Sequence, residues 1–168
     1  MTKTYVALGG NIGDTEDALR SALHAIQSLS GIYHLQISHF YLTSPVSTIP
    51  QNTYLNAVCC FETTLDARIL LLHLQEIERT LGKTKKDKDK PRIIDLDILF
   101  FGLERYSEKD LTIPHANWQE RLFVLVPLLD LTSTISFPTP TGITHLNISD
   151  FLQTFPNLNN ETVLLWKE

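Results

Sequence analysis

Two aspartates interrupt an apolar, β-prone run of the chain. Asp95 and Asp97 lie within residues 94–101, where all the remaining residues are isoleucine, leucine or phenylalanine. Because side chains alternate between the two faces of a strand, both carboxylates are expected on one face and the apolar residues between and beside them on the other. Neighbouring carboxylates repel each other unless a cation neutralises them, and Mg²⁺ takes such oxygen ligands and shares them with a substrate's phosphates. The pair therefore predicts a magnesium site that handles a phosphorylated substrate.

A basic segment lies immediately before the aspartates. Residues 83–92 contain five lysines and Arg92, with Asp87 and Asp89 between them. The planar guanidinium of Arg92 carries a fork of donors that suits phosphate oxygens. Two simpler interpretations stay open from the residues alone: the segment is a solvated loop, and Arg92 forms a surface ion pair with Asp95.

The composition is that of one folded domain covering residues 1–168. Hydrophobic residues make up 43% and charged residues 20%, which excludes wholesale disorder. The formal net charge of −5 argues against general binding to nucleic acid or to a membrane surface. No leader is evident and no apolar run reaches the roughly 20 residues that cross a bilayer, so we expect a cytoplasmic protein. Adjacent Cys59 and Cys60 are interpreted as reduced packing residues, because neighbours in a strand face opposite ways.

Hydrophobic spacing and capping residues predict the elements that position the aspartates. The order strand, helix, strand, strand, helix, strand matches the split arrangement of ferredoxin-like folds. The predicted class is α+β: a ferredoxin-like α/β sandwich with a mostly antiparallel sheet, helices packed on its faces and the aspartate strand central. Strands are expected at 4–8, 36–41, 54–63 and around Asp95, and helices after caps at Asp14 or Thr15 and at Asp66, the second ending at Gly82.

Shorter elements are predicted in the rest of the chain. Three glycines within residues 9–13 favour a tight turn that ends the first strand. A helix over 118–131 is expected to be interrupted near Pro127, and Pro138 with Pro140 indicates a loop. Ser149 is the predicted cap of a short helix, and residues 162–166 are a predicted final strand.

Several motifs occur in the order and spacing of a known family. The chain resembles the 6-hydroxymethyl-7,8-dihydropterin pyrophosphokinases of folate biosynthesis, nearly from end to end. The Arg-x-x-Asp-x-Asp motif of residues 92–97 is the most specific part of the resemblance. The matching segments are 7–13, 40–45, 54–57, 75–78, 91–99, 113–115 and 121–123.

This resemblance implies an activity and a set of site residues. Members transfer the terminal pyrophosphoryl group of ATP to the hydroxymethyl oxygen of the pterin and leave AMP, as Mg²⁺-dependent diphosphotransferases. ATP and the pterin are then the expected small-molecule partners of a monomer, with no nucleic acid and no membrane. Two Mg²⁺ ions would be held by Asp95 and Asp97, and Asp97 is the candidate proton acceptor. The implied catalytic residues are Lys83, Lys85, Arg92, Asp95 and Asp97; the ATP-binding residues are Gln75, Glu78, Arg92, Ile98, Thr112, His115 and Arg121; the pterin-binding residues are Thr43, Val46, Tyr54, Asn56 and Phe123.

The chain also departs from the family pattern. Lys83 and Lys85 replace arginines, which keeps the charge but loses the rigid fork. Asp89 and Lys90 stand where many members have an aromatic residue followed by glycine. The segment 83–92 is expected, by resemblance, to close over ATP as a lid. Gly10 stands where serine is frequent, and Asp110 where a basic residue can help to bind nucleotide.

Alternatives remain for the individual residues and for the function. Without the resemblance, Tyr54 and Phe123 would be core aromatics, and Gln75 with Glu78 a solvated helix face. A nucleotidyltransferase also places an Asp-x-Asp pair on a strand after a glycine-rich turn, and it would release pyrophosphate. A non-catalytic ferredoxin-like binding module would make the acidic pair incidental.

Overall fold

The computed structural model describes residues 1–44, 52–83, 93–158 and 160–166. Asp14 and Asp66 cap the first two helices, since they accept hydrogen bonds from the main-chain N–H groups of Asp17 and Ile69 at 3.0 and 2.9 Å. Both caps were predicted. The elements are β1 (Thr2–Gly10), α1 (Thr15–Gln27), β2 (Ile32–Ile37), β3 (Tyr41–Thr43), β4 (Tyr54–Thr63), α2 (Ala67–Thr80), β5 (Asp95–Phe101), β6 (Tyr106–Ser107), β7 (Thr112–Ile113), a 3₁₀ turn (Trp118–Glu120), α3 (Leu122–Leu131), β8 (Thr134–Thr139), β9 (Gly142–Asn147), α4 (Ile148–Gln153) and β10 (Val163–Leu165).

The main sheet has the order expected of a ferredoxin-like fold. Its strands lie in the order β10, β3, β4, β1, β5, and β2 also pairs with β4. All of these pairings are antiparallel. The predicted fold class is therefore confirmed.

The position of the aspartate strand within this sheet differs from the prediction. In the described residues β5 pairs only with β1, so it is an edge strand and not a central one. Its outer side is partly covered, because the main-chain N–H of His115 donates to the carbonyl oxygen of Leu99 at 3.0 Å. An edge position leaves room for the segment after β7 to reach the aspartates.

The sheet separates two hydrophobic cores. One core packs α1 and α2 against one face, and the other packs α3, α4 and the β8–β9 hairpin against the opposite face. Cys59 belongs to the first core and Cys60 to the second, and both are free and buried. The prediction of two reduced packing residues facing opposite ways is confirmed.

The first two predicted strands have different boundaries in the structure. The predicted second strand at 36–41 is divided into β2 and β3. The side chain of Ser38 causes the break, because its oxygen accepts from Val58 N at 2.9 Å in place of a main-chain carbonyl. The first strand also continues past the predicted turn to Gly10, which lies opposite Leu55.

Three predictions in the C-terminal third are wrong in detail. The helix predicted over 118–131 breaks at Arg121, whose extended backbone precedes α3, and not at Pro127. Pro138 lies in β8 opposite Ile143, since both strands of an isolated hairpin are edges that tolerate proline. The cap of α4 is Asn147, which accepts from Asp150 N at 2.9 Å, and not Ser149.

The helices of the described part of the chain are too short or too polar to cross a membrane.

Candidate active site

A cavity of about 620 Å³ lies where β1 ends and β4 and β5 begin. Gly9 is opposite Asn56 on one side and Asp95 on the other, so a single rung of the sheet brings the two polar side chains to one place. The volume is within the range of small-molecule sites. The wall is formed by Ala7, Leu8, Gly9, Thr43, Ser44, Tyr54, Asn56, Lys83, Asp95, Asp97, Leu99, His115, Asn117, Glu120, Arg121, Phe123, Val124 and Glu161.

The two aspartates share one face of β5, as the alternation predicted. Asp95 and Asp97 line the cavity, while Leu96 and Ile98 are buried in the core on the other face. Solvent in the cavity reaches Asp97, yet the surrounding protein limits the hydration of its charge and raises the pKa of its carboxyl group. His115 lowers this pKa and the charge of Asp95 raises it. Because the pKa of Asp97 is raised overall, this wall of the cavity favours an added positive charge.

Lys83 supplies one positive charge at this wall. Its Nζ lies 2.7 Å from Oδ1 of Asp95 and 2.8 Å from Oε2 of Glu78. The end of α2 positions it: Gly82 adopts φ +100°, and the main-chain N–H of Lys83 donates to the carbonyl oxygen of Glu78. This hydrogen bond and the positive φ of glycine form a Schellman motif, which commonly ends a helix. The predicted stop at Gly82 is confirmed. Burial lowers the pKa of Lys83, but its bonds to Asp95 and Glu78 outweigh burial and raise it overall.

Glu78 lies behind Lys83 in the protein interior. Its side chain is about 10% exposed, and Oε2 also accepts from the main-chain N–H of Leu96 at 2.8 Å. Burial raises the pKa of Glu78, against the opposing effects of Lys83 and the Leu96 N–H. Glu78 therefore joins the end of α2 to the start of β5 and holds Lys83 beside Asp95.

The opposite part of the cavity contains a fixed amide. Asn56 is buried, and its Nδ2 donates to Oγ1 of Thr43 at 2.6 Å. Gly9 makes room for it, since a Cβ at Gly9 would lie 2.3 Å from Oδ1 of Asn56. Tyr54 and Phe123 line the same cavity and are half-buried. The result is a polar amide in a cavity that also has aromatic walls.

Hydrogen bonding orients the imidazole of His115. The main-chain N–H of Asn117 donates to Nδ1 of His115 at 3.2 Å. In the neutral ring the proton is then on Nε2, which makes Nε2–H a hydrogen-bond donor. The bond of His115 N to Leu99 fixes the main chain at the same residue.

Arg121 and Phe123 flank the first residue of α3 and line the cavity together. The guanidinium carbon of Arg121 is 5.4 Å from the centre of the Phe123 ring, a cation–π distance. A cation and an aromatic face thus lie together on this wall.

Comparisons with known proteins identify the family. The model of the 7,8-dihydro-6-hydroxymethylpterin-pyrophosphokinase family, HPPK, matches residues 5–133. The 2-amino-4-hydroxy-6-hydroxymethyldihydropteridine pyrophosphokinase of Haemophilus influenzae is 38% identical over 146 residues, which cover 87% of this chain and 91% of that protein. The chain belongs to the HPPK family. The enzyme of the same name from Bacillus subtilis is 38% identical over 131 residues, 78% of either protein.

Solved HPPK structures show the same fold. A Plasmodium falciparum HPPK-DHPS chain superposes with a TM-score of 0.68 at 15% identity, over 92% of this chain. The chain spans 45% of the length of that two-part protein. With the family shown, the predicted activity is confirmed as pyrophosphoryl transfer to hydroxymethyldihydropterin in folate biosynthesis.

The structure brings most of the HPPK site residues predicted from sequence to one cavity, and leaves others outside it. Gln75 is exposed on α2, Thr112 is exposed on β7, and the side chain of Ile98 is in the core behind the aspartates. None of these three side chains lines the cavity. Glu78 is also absent from the wall and reaches it only through Lys83. The predictions for Val46, Lys85 and Arg92, with Asp89 and Lys90, lie outside the described residues.

Asp110 is paired elsewhere in this HPPK chain. Its carboxylate accepts from Arg68 at 2.8 Å, and this pairing lowers the pKa of Asp110. The position that is basic in some members therefore takes part in a surface ion pair between α2 and the segment before β7.

The donor set fits Mg²⁺ held jointly by protein and substrate. Across the described residues, no third histidine, cysteine, aspartate or glutamate joins the aspartates in a group able to hold a metal. Mg²⁺ is typically bound by one or two carboxylates together with substrate phosphates and water. The ammonium group at Asp95 shows that this carboxylate accommodates a cation.

Sequence reasoning missed three polar residues of the cavity wall that lie outside the matching motifs. Asn117, Glu120 and Glu161 line it, and no motif of the chain marks them. For Asn117 the short spacing to His115 was the available signal. Glu161 reaches the cavity only through tertiary packing.

Proposed function

We propose that this HPPK domain uses ATP as donor and Mg²⁺ as cofactor, in the cavity at the end of the main sheet. One observation supports the proposal most strongly. Asp95, Asp97 and Lys83 lie on a wall of the same cavity that contains the Asn56 amide and the Phe123 ring. A triphosphate and a flat heterocycle can therefore occupy one site together, as an in-line transfer requires.

Asp95 and Asp97 are the residues that would hold two Mg²⁺ ions. When bound, the metal would neutralise charge on the triphosphate and make the pterin hydroxyl more acidic. Lys83 would exchange its place at Asp95 for a phosphate oxygen while Glu78 retains its other bond. This exchange keeps Lys83 within the site in both states.

Cationic and donor groups of the chain would hold the phosphates. Arg121 and His115 line the cavity, and a guanidinium and an imidazole N–H both suit phosphate oxygens. Lys85 and Arg92 are proposed for the same role from the family resemblance. For the nucleotide, we propose side-chain contacts from Gln75 and Thr112, main-chain contacts from Ile98, and an indirect role of Glu78 through Lys83.

The pterin would lie between the aromatic residues. Tyr54 and Phe123 are proposed to stack on its two faces, since an electron-poor bicycle favours aromatic contact. Asn56 would hydrogen-bond the amide edge, with its orientation fixed by Thr43. Val46 is proposed to contribute main-chain bonds, again from the resemblance.

The transfer then needs no covalent bond between the protein and a substrate. The hydroxymethyl oxygen attacks the β-phosphorus, the bond from that phosphorus to the oxygen bridging to the α-phosphate breaks, and AMP leaves with the bond's electron pair. The hydroxyl proton must be accepted, and Asp97 is our candidate, because its carboxylate lines the cavity in which the reactants would meet. We also propose that the chain works as a single domain and a monomer in the cytoplasm, with these two small molecules as its partners.

Analysis of the products by phosphorus NMR tests the proposal. ATP, MgCl₂ and 6-hydroxymethyl-7,8-dihydropterin should give AMP and a pterin diphosphate. Release of free pyrophosphate would instead indicate a nucleotidyltransferase, and no reaction would favour a binding module. Either result would overturn the proposal.

A matched pair of variants tests the role of the acidic pair. Asp97→Asn should reduce the rate of AMP formation on the order of a thousandfold, because both metal binding and proton transfer lose a charge. Asp150→Asn changes an exposed aspartate on α4, away from the cavity, and should leave the rate unchanged. Equal rates for the two variants would exclude Asp97 from the reaction.

A further inference from the structure

Glu161 brings a buried carboxylate to the cavity from the C-terminal part of the chain. It precedes β10, lines the cavity and is 8% exposed. The family model ends at residue 133, so Glu161 lies beyond the matched residues, and neither the resemblance nor the proposed function gives it a role. A buried carboxylate is costly unless hydrogen-bond donors replace its lost hydration. A role toward a ligand with donors would explain its position.

Hydrogen bonds fix the backbone at Glu161. Oδ1 of Asn157 accepts from the main-chain N–H of Glu161 at 2.8 Å, and Nδ2 of Asn157 donates to the carbonyl oxygen of Glu161 at 3.0 Å. The main-chain N–H of the next residue, Thr162, donates to Oγ of Ser44 at 3.0 Å, and its carbonyl oxygen accepts from the N–H of Ser44 at 3.1 Å. The carboxylate is therefore carried on a backbone that is bonded on both sides of it.

The pairing of β10 with β3 determines which end of the cavity Glu161 reaches. Val163 is opposite Thr43, and Thr43 lines the cavity together with Ser44 and Glu161. Oγ1 of Thr43 accepts from Nδ2 of Asn56 at 2.6 Å. Glu161 thus joins the cavity at the end that contains the fixed amide, which is the end proposed for the pterin.

The acceptors at this end suit a ligand edge that carries donors. Oδ1 of Asn56 is an amide oxygen, and an ionised carboxylate such as that of Glu161 has acceptors only. The substrate that names the family's relatives carries a 2-amino group. This amino group is attached next to the N–H of the pterin's amide edge, so a pterin whose amide edge meets Asn56 brings its amino group to a neighbouring acceptor. A phosphate group, in contrast, would be repelled by the carboxylate.

We infer that Glu161 is a further pterin-binding residue, whose carboxylate accepts a hydrogen bond from the 2-amino group and thereby selects 2-amino pterins over 2-oxo pteridines. The inference rests on the proposed function, in which the pterin lies between Tyr54 and Phe123. Burial raises the pKa of the Glu161 carboxyl group, because its ionised form loses hydration, and the amino group would replace part of that hydration. A 2-oxo group would instead place two acceptors against each other, which a buried site rejects strongly.

Binding of two pteridines tests the inference without turnover. The ligands are 6-hydroxymethyl-7,8-dihydropterin and 6-hydroxymethyl-7,8-dihydrolumazine, which has an oxo group in place of the 2-amino group. Each is titrated by calorimetry with Mg²⁺ and a non-hydrolysable ATP analogue. The wild type should bind the pterin on the order of a hundredfold more tightly than the lumazine. Glu161→Gln should lower this ratio on the order of tenfold and bind the lumazine more tightly than the wild type does, because its amide offers a donor to the oxo group.

The gain of lumazine affinity separates recognition from damage to the fold, which would weaken both ligands. The matched control is Glu120→Gln, which removes another carboxylate from the same cavity wall, on an exposed side chain of the 3₁₀ turn, and should leave the ratio unchanged. An unchanged ratio in Glu161→Gln would overturn the inference, even if both affinities fell. Pterin binding without formation of AMP would overturn the proposed transfer, and the ratio would still decide about Glu161. Absence of pterin binding would overturn both.

Discussion

The ammonium group of Lys83 lies 2.7 Å from Oδ1 of Asp95, one of the two carboxylates that we assign to Mg²⁺. Both side chains are about a quarter exposed, and Glu78 holds the same ammonium group at 2.8 Å. Lys83 therefore provides a cation at one of these carboxylates. Metal binding and movement of Lys83 are expected to be coupled, because one carboxylate oxygen does not bind both cations well.

Removal of the Lys83 charge should strengthen binding of metal to the nucleotide-free protein. We expect Lys83→Met to bind Mn²⁺, a spectroscopic substitute for Mg²⁺, roughly fivefold more tightly, since a partly exposed ion pair is worth up to about 1 kcal/mol. Electron paramagnetic resonance titration measures the affinity. Formation of AMP should fall at the same time, because the triphosphate loses a cation.

A basic residue within α2, the helix that ends just before Lys83, provides the control. Arg79 pairs with Glu76 on the exposed side of α2, so Arg79→Met should leave both quantities unchanged. Unaltered Mn²⁺ affinity in Lys83→Met would contradict competition at Asp95.

Gly9→Ala should disturb the amide of Asn56. The added Cβ would lie 2.3 Å from Oδ1 of Asn56, so the side chain must move. We expect a loss of about 1–3 kcal/mol in the free energy of unfolding. Pterin affinity, measured by calorimetry with an ATP analogue, should fall on the order of tenfold, because the fixed amide is misplaced.

The double variant separates these two effects. In Gly9→Ala with Asn56→Ala the clash is gone, so stability should recover in part while pterin affinity stays low. Recovery of affinity in the double variant would exclude Asn56 from pterin binding.

Glu78→Gln should change how stability depends on pH. Burial raises the pKa of Glu78 in the folded protein above its value in the unfolded chain. The native state then retains this proton longer than the unfolded state, so the contribution of Glu78 is fully present below pH about 4.5 and is lost as pH rises through the folded pKa. The free energy of unfolding, measured in urea, should be compared between the wild type and Glu78→Gln. The value for the wild type minus the value for the variant should decrease from pH 4 to pH 7. A difference that increases over this range would show that the ion pair with Lys83 outweighs burial.

Asp130 lies outside the cavity and should contribute to the stability of the fold. Its Oδ2 accepts from the main-chain N–H of His39 at 3.1 Å and from the hydroxyl of Tyr41 at 2.8 Å, which joins α3 to β3. Burial and Asp130 together raise the pKa of Tyr41 to about 12. We expect Asp130→Ala to cost about 2 kcal/mol in chemical unfolding and Tyr41→Phe about 1 kcal/mol, because the second change removes a single bond. Equal losses would mean that the bond to His39 contributes nothing.

The sequence was sufficient for features that depend on nearby residues. The caps at Asp14 and Asp66 and the stop at Gly82 were predicted because each depends on hydrogen bonds within a few residues. The shared face of Asp95 and Asp97 follows from the two-residue repeat of a strand. The break at Ser38 was not predictable in this way, since its acceptor role depends on Val58 in another strand.

The same distinction between local and distant contacts applies to the site. By itself the sequence determined the residue types, the acidic pair, the strand and helix order, and the family to which the motifs belong. Only the tertiary structure decided that β5 is an edge strand, that Lys83 binds Asp95 and Glu78, and that Glu161 lines the cavity. These contacts join residues from separate elements, and their partners are selected by packing and by the need of buried polar groups for a hydrogen bond, which no local pattern encodes.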